Sequence, residues 1–150
     1  MISYRTMTQS TLLAAAVTLG GCAWMSSMMG SDTMSMKNQL SGAQEVPPVT
    51  TGGTGSIDTT FDKSTNVLTW TVTYAGLSGP VTAGHFHGPA AAGANAGVAV
   101  PFTGNLSSPI TGKATLTAAQ VADLTAGRWY VNLHTAKHPG GEIRGQLTGK

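Results

Sequence analysis

The sequence predicts an all-β protein, an antiparallel Greek-key β-sandwich with one short helix, and three observations carry that prediction. From residue 38 onward the apolar positions alternate with period 2, the spacing at which successive side chains leave opposite faces of a strand. Clusters of Gly, Pro, Ser and Asn break these runs at short intervals, and 20 Gly and 7 Pro supply the turns. Only 9% of residues are charged, against roughly 25% in average soluble domains. A chain of 150 residues holds one domain of ordinary size.

At the N-terminus, Arg5 precedes an apolar run over 11–19, and Gly20 and Gly21 lead into Cys22. That layout is a secretory signal, and the run is too short for the roughly 20 apolar residues that span a bilayer. Leu19-Gly20-Gly21-Cys22 resembles a bacterial lipobox, in which cleavage precedes the cysteine and its sulfur carries diacylglycerol. Residues 1–21 are therefore expected to be a lipoprotein signal peptide and Cys22 the lipidation site. As the single cysteine, Cys22 cannot form an intrachain disulfide. Acyl chains contribute roughly 0.8 kcal/mol per buried CH₂, so a lipid anchor would be the contact with the membrane. Ala23 after the cysteine favours delivery to the outer membrane, facing the periplasm.

Residues 22–37 have no apolar periodicity and read as a flexible Ser/Gly tether. Five of the seven methionines fall here, Met25, Met28, Met29, Met34 and Met36. They are either plain spacer or a thioether-rich arm for Cu(I), an ion that soft sulfur ligands select.

Residues 38–150 form the expected domain, with strands over 38–43, 57–61, 68–74, 81–87, 97–102, 110–116, 128–134 and 142–147. Ile57, Thr59 and Phe61 share one face, as do Leu68, Trp70, Val72 and Tyr74; Asp62 to Asn66 turn the hairpin between them. A helix is expected over 117–124, capped by Thr117 and stopped by Gly127.

All four histidines fall in two segments, His85 and His87 in one and His134 and His138 in the other. Residues two apart on a strand leave the same face about 6.6 Å apart, so His85 and His87 can converge while Phe86 enters the core. In the second segment Trp129, Val131 and Leu133 make the apolar face, which puts His134 with Tyr130 and Asn132 on the other. Were the two strands neighbours at one edge, three or four imidazoles would meet. An imidazole set suits copper, with zinc as the alternative, and not Ca or Mg, which take oxygen ligands. Glu142 and Arg144 alternate with Ile143 and Leu147, so they are expected on the non-core face, either as an exposed pair or with Glu142 accepting an imidazole N–H.

Other chemistry has little to build from. No Gly-x-Ser-x-Gly elbow or phosphate loop is present, and six acidic residues leave few paired carboxylates. No catalytic residue is assigned, and an enzyme is not expected. Eight scattered Lys and Arg against those six give a formal charge of +2, which makes no nucleic-acid footprint.

Three motifs resemble one family. Leu40-Ser41-Gly42-Ala43-Gln44-Glu45-Val46-Pro47-Pro48, Gly84-His85-Phe86-His87-Gly88-Pro89, and Tyr130-Val131-Asn132-Leu133-His134-Thr135 with Pro139-Gly140-Gly141-Glu142-Ile143-Arg144-Gly145-Gln146-Leu147 look like the chordin-type (CHRD) domain. The resemblance implies an extracytoplasmic β-sandwich; the expected sandwich is immunoglobulin-like or Cu,Zn superoxide dismutase-like, the latter a weaker similarity that rests on the His85-Phe86-His87 strand in a Greek-key fold. In chordin, repeated CHRD domains sit beside cysteine-rich modules that bind growth factors; this chain has one copy and no such modules, so that role does not carry over. The expected function is a lipid-anchored cell-envelope protein that binds copper or zinc for buffering, transfer or sensing. Its alternative is a metal-free extracytoplasmic module that contacts an envelope protein partner.

Overall fold

The computed structural model describes residues 32–149; the expected signal peptide, Cys22, Met25, Met28 and Met29 lie outside them. Eight strands form where the period-2 pattern runs: β1 (Thr33–Ser41), β2 (Thr54–Asp62), β3 (Val67–Ala75), β4 (Val81–His87), β5 (Val98–Pro101), β6 (Ile110–Thr115), β7 (Trp129–Thr135) and β8 (Ile143–Leu147). The helix α1 spans Ala118–Thr125. Its capping box is complete: the Gln120 amide N–H donates to Thr117 Oγ1 at 3.3 Å, and the Thr117 N–H donates to Gln120 Oε1 at 2.9 Å. Past the end, Gly127 takes φ +69, which few other residues adopt cheaply. Among the described residues no helix is long and apolar enough to cross a membrane.

All pairings are antiparallel, and the strands lie in one sheet in the order β5-β4-β7-β8-β1-β2-β3-β6. Two separate sheets were expected; instead the two four-stranded halves join through one bridge, Ser41 to Arg144. The sheet curls until the halves face each other, nearly as a barrel. Trp70 on β3 meets Phe86 on β4 edge to face at 5.0 Å and stacks with Phe102 at 5.3 Å, which ties the distant ends together. Ile57, Phe61, Leu68 and Val72 from one half, and Phe86, Trp129, Val131, Leu133, Ile143 and Leu147 from the other, are at most 1% exposed.

The expected tether is shorter than its composition implied. β1 begins at Thr33 and pairs along its whole length with β2, Met36 is 3% exposed in the core, and Met34 packs against that core. Met34 and Met36 are therefore gap-filling core thioethers and not part of a free arm. Ser and Lys residues between them hid the alternation: Ser35, Lys37 and Gln39 are the solvent face of the same strand.

Candidate metal centre

β7 carries the site because it is buried on both faces. Trp129, Val131 and Leu133 enter the core, while Tyr130, Asn132 and His134 leave on the outer side, as alternation requires. The register sets their neighbours: His85 on β4 stands beside Asn132, and Asn132 beside Arg144 on β8; His87 stands beside Tyr130. Loops over 90–97 and 138–141 and the 3₁₀ turn Gly42–Gln44 with Glu45 supply groups that bury this polar face.

His85, His87 and His134 come together, with one ring nitrogen of each within 4.8 Å of the others. His87 is 9% exposed, and the other two are half-buried. Backbone carbonyls orient two of the rings. His87 Nδ1 lies 3.0 Å from Ala96 O, and His134 Nδ1 lies 2.9 Å from Pro139 O. A carbonyl only accepts, so each Nδ1 carries the proton and, in the neutral ring, each Nε2 presents a bare lone pair. His85 Nδ1 sits 3.2 Å from His134 Nε2. Burial, then the His134 and His87 charges, hold His85 below the ordinary imidazole value. Burial also lowers His134; the Pro139 carbonyl opposes it and His87 adds to it. Neutral rings are the form a metal needs.

A layer of ordered polar groups backs the cluster. The Tyr130 ring stacks on His87, with centroids 4.8 Å apart and planes 4° from parallel, and carries the Arg144 guanidinium 3.4 Å from its centroid. Arg144 donates to Ala94 O at 2.6 Å and to Asn95 Oδ1 at 2.9 Å, which pins the loop whose Ala96 carbonyl sets the His87 tautomer. Glu45 is 5% exposed. Burial pushes its carboxyl up, and the Arg144 charge and a hydrogen bond from Asn132 pull it back.

Two expected members stand elsewhere. His138 lines a separate cleft with Glu45, Lys137 and Gly141 and is not among the three that converge. A tight turn is the reason: the His138 and Thr135 backbones bond each other, and the Gly141 N–H bonds His138 O. Glu142 accepts no imidazole N–H among the described residues. It accepts from Thr51 Oγ1, Ser78 Oγ and Thr135 Oγ1, each at 2.6 Å, and from the Ser78 N–H at 2.9 Å. Arg144 is on the non-core face as expected but is 1% exposed, and the exposed Glu142–Arg144 pair does not form. Asn132 and Glu45 had no assigned role. The parity that grouped Tyr130, Asn132 and His134 was the available signal for Asn132.

No curated protein and no solved structure matches the chain. A family model for the CHRD domain matches residues 36–147, starting at the buried Met36 and taking in the whole His cluster with Glu45 and Arg144. By that match, over well more than half its length, the chain belongs to the CHRD domain family.

Proposed function

We propose that the protein is a lipid-anchored component of the bacterial cell envelope whose CHRD domain binds a transition metal through His85, His87 and His134, for buffering, transfer or sensing. One observation carries the metal: two rings are tethered at Nδ1 by backbone carbonyls, which leaves both Nε2 atoms bare, and one nitrogen from each of the three rings lies within 4.8 Å of the others. Histidines that serve only as hydrogen-bonding turn residues need no such convergence. Tautomers set by outer carbonyls are the usual support of metal-ligating imidazoles. Copper is preferred over zinc because nitrogen donors bind Cu(II) more tightly in the divalent series.

Elemental analysis of the purified full chain tests the metal. About one equivalent of copper per chain is expected; zinc in its place would overturn the choice of ion, and neither would leave the metal-free interaction module. The anchor supported by Leu19-Gly20-Gly21-Cys22 makes a separate prediction. Cys22→Ser should abolish labelling by radioactive palmitate, and unchanged labelling would remove the lipoprotein assignment.

A further inference from the structure

Asn132 stands where two lone pairs already point. Its Oδ1 lies 3.1 Å from His87 Nε2 and 3.0 Å from His134 Nε2. With both Nδ1 protons committed to Ala96 O and Pro139 O, neither Nε2 of the neutral rings can donate to Asn132 Oδ1, so acceptor faces acceptor at both contacts. Such an arrangement is repulsive unless something positive sits among them. Turning the amide over would not relieve it, because the amide nitrogen lies on the side of the buried Glu45 carboxyl, where Asn132 Nδ2 and Glu45 Oε1 both border Gly141 and Glu45 Oε1 has no other hydrogen-bond partner among the described residues. An exchanged oxygen would then meet a carboxylate oxygen. Gly141, at φ +125, leaves the room for this contact: a Cβ there would collide with the Glu45 carboxylate and crowd the Asn132 amide nitrogen.

Three of the spacings are close to those of a coordination shell. Donors about 2.0 Å from a tetrahedral centre lie roughly 3.3 Å from one another. Three of the six edges that four donors make are 3.0 Å, 3.1 Å and 3.2 Å, from Asn132 Oδ1 to the two Nε2 atoms and from His85 Nδ1 to His134 Nε2, and the three imidazole nitrogens all lie within 4.8 Å of one another. We propose that Asn132 Oδ1 is the fourth ligand of the imidazole site, aimed by Glu45, and that it makes the site selective for Cu(II) or Zn(II) over Cu(I). An amide oxygen is a hard donor; it suits a divalent ion in a mixed nitrogen and oxygen set and adds little for Cu(I), which prefers sulfur. This assignment rests on the metal site proposed above. Glu45 touches no ligand position itself and acts as a positioning residue through Asn132.

The test uses the full chain titrated separately with Cu(II), Zn(II) and Cu(I) against competing chelators, with the electron paramagnetic resonance spectrum of the Cu(II) form as second readout. Asn132→Ala should weaken Cu(II) and Zn(II) about 100-fold and leave Cu(I) within about twofold. Glu45→Gln should weaken Cu(II) about 10-fold and change its resonance spectrum, because the aim of the oxygen is altered with the ligand set intact. It also serves if Asn132→Ala does not fold. Wild-type Cu(II) affinity and spectrum in both Asn132→Ala and Glu45→Gln, or equal losses of Cu(I) and Cu(II), would overturn the assignment. If His87→Ala still abolishes Cu(II) binding in that case, the imidazole site stands and only the fourth ligand is lost; if His87→Ala is also silent, both fall.

Discussion

His87→Ala is expected to lower Cu(II) affinity by more than about 100-fold. Removing a group that merely orients a ligand already costs 10- to 100-fold, and His87 supplies a donor atom outright, with its Nε2 bare and its Nδ1 held by Ala96 O. His87 is also the most buried of the three, and its removal takes away the ring that stacks on Tyr130. The pH profile gives a second check. His85 and His134 are held below the ordinary imidazole value, chiefly by burial. A proton therefore competes with the metal only at lower pH than for a free imidazole. Cu(II) affinity should stay flat from about pH 8 down to the ordinary value of about 6.5 and fall below it. Chelator competition across that range checks both statements. A steep decline already above pH 7 would mean that the rings are not neutral at rest, and wild-type affinity in His87→Ala would remove the site.

The largest loss of stability is expected from Glu142→Ala, about 3 to 5 kcal/mol, with Tm lower by about 10 °C or more. Glu142 is 0% exposed and joins three stretches of chain: Thr51 before β2, Ser78 between β3 and β4, and Thr135 at the end of β7. Without it, three buried hydroxyls and the Ser78 N–H face a cavity. Burial alone would raise its pKa, but the hydrogen bonds from Ser78, Thr135 and Thr51 win and hold it at about 2. The folded value lies below the ordinary carboxyl value of about 4.5. The group therefore contributes stability that is fully present above the unfolded value and is lost as pH falls toward the folded one. Wild-type Tm should fall as pH drops from about 4.5 toward about 2, with a smaller decline in the variant. Thermal melts over that interval check this. At neutral pH the folded variant should bind Cu(II) like wild type, because Glu142 touches none of the three rings; a 10-fold loss would restore the imidazole contact first expected of it.

Alternation explains why so much of this molecule could be read from its chain. Period 2 is a property of the extended backbone, so assigning Phe86 to the core also assigned His85 and His87 to the other face, and Trp129, Val131 and Leu133 did the same for His134. The α1 boundaries were equally local, set by the Thr117 capping box and Gly127. The same local pattern failed at β1, where Met34 and Met36 alternate with Ser35 and Lys37 in a stretch whose composition resembles a linker.

Pairing and loop placement are not local, and they decided the rest. Sequence spacing could not tell that β4 and β7 are neighbours, which brings His85 within 3.2 Å of His134 although 49 positions separate them. Nor could it exclude His138, four residues past His134, because the turn over 135–141 sets that residue at another cleft. Glu142 was placed correctly in the chain, yet its partners come from two distant loops. The proton positions on His87 and His134 follow from carbonyls of Ala96 and Pro139 that fold back over the strands. Residue types and strand period state which groups share a face; which nitrogen is bare, and what it faces, depends on contacts made only when the sheet curls and its loops close over it.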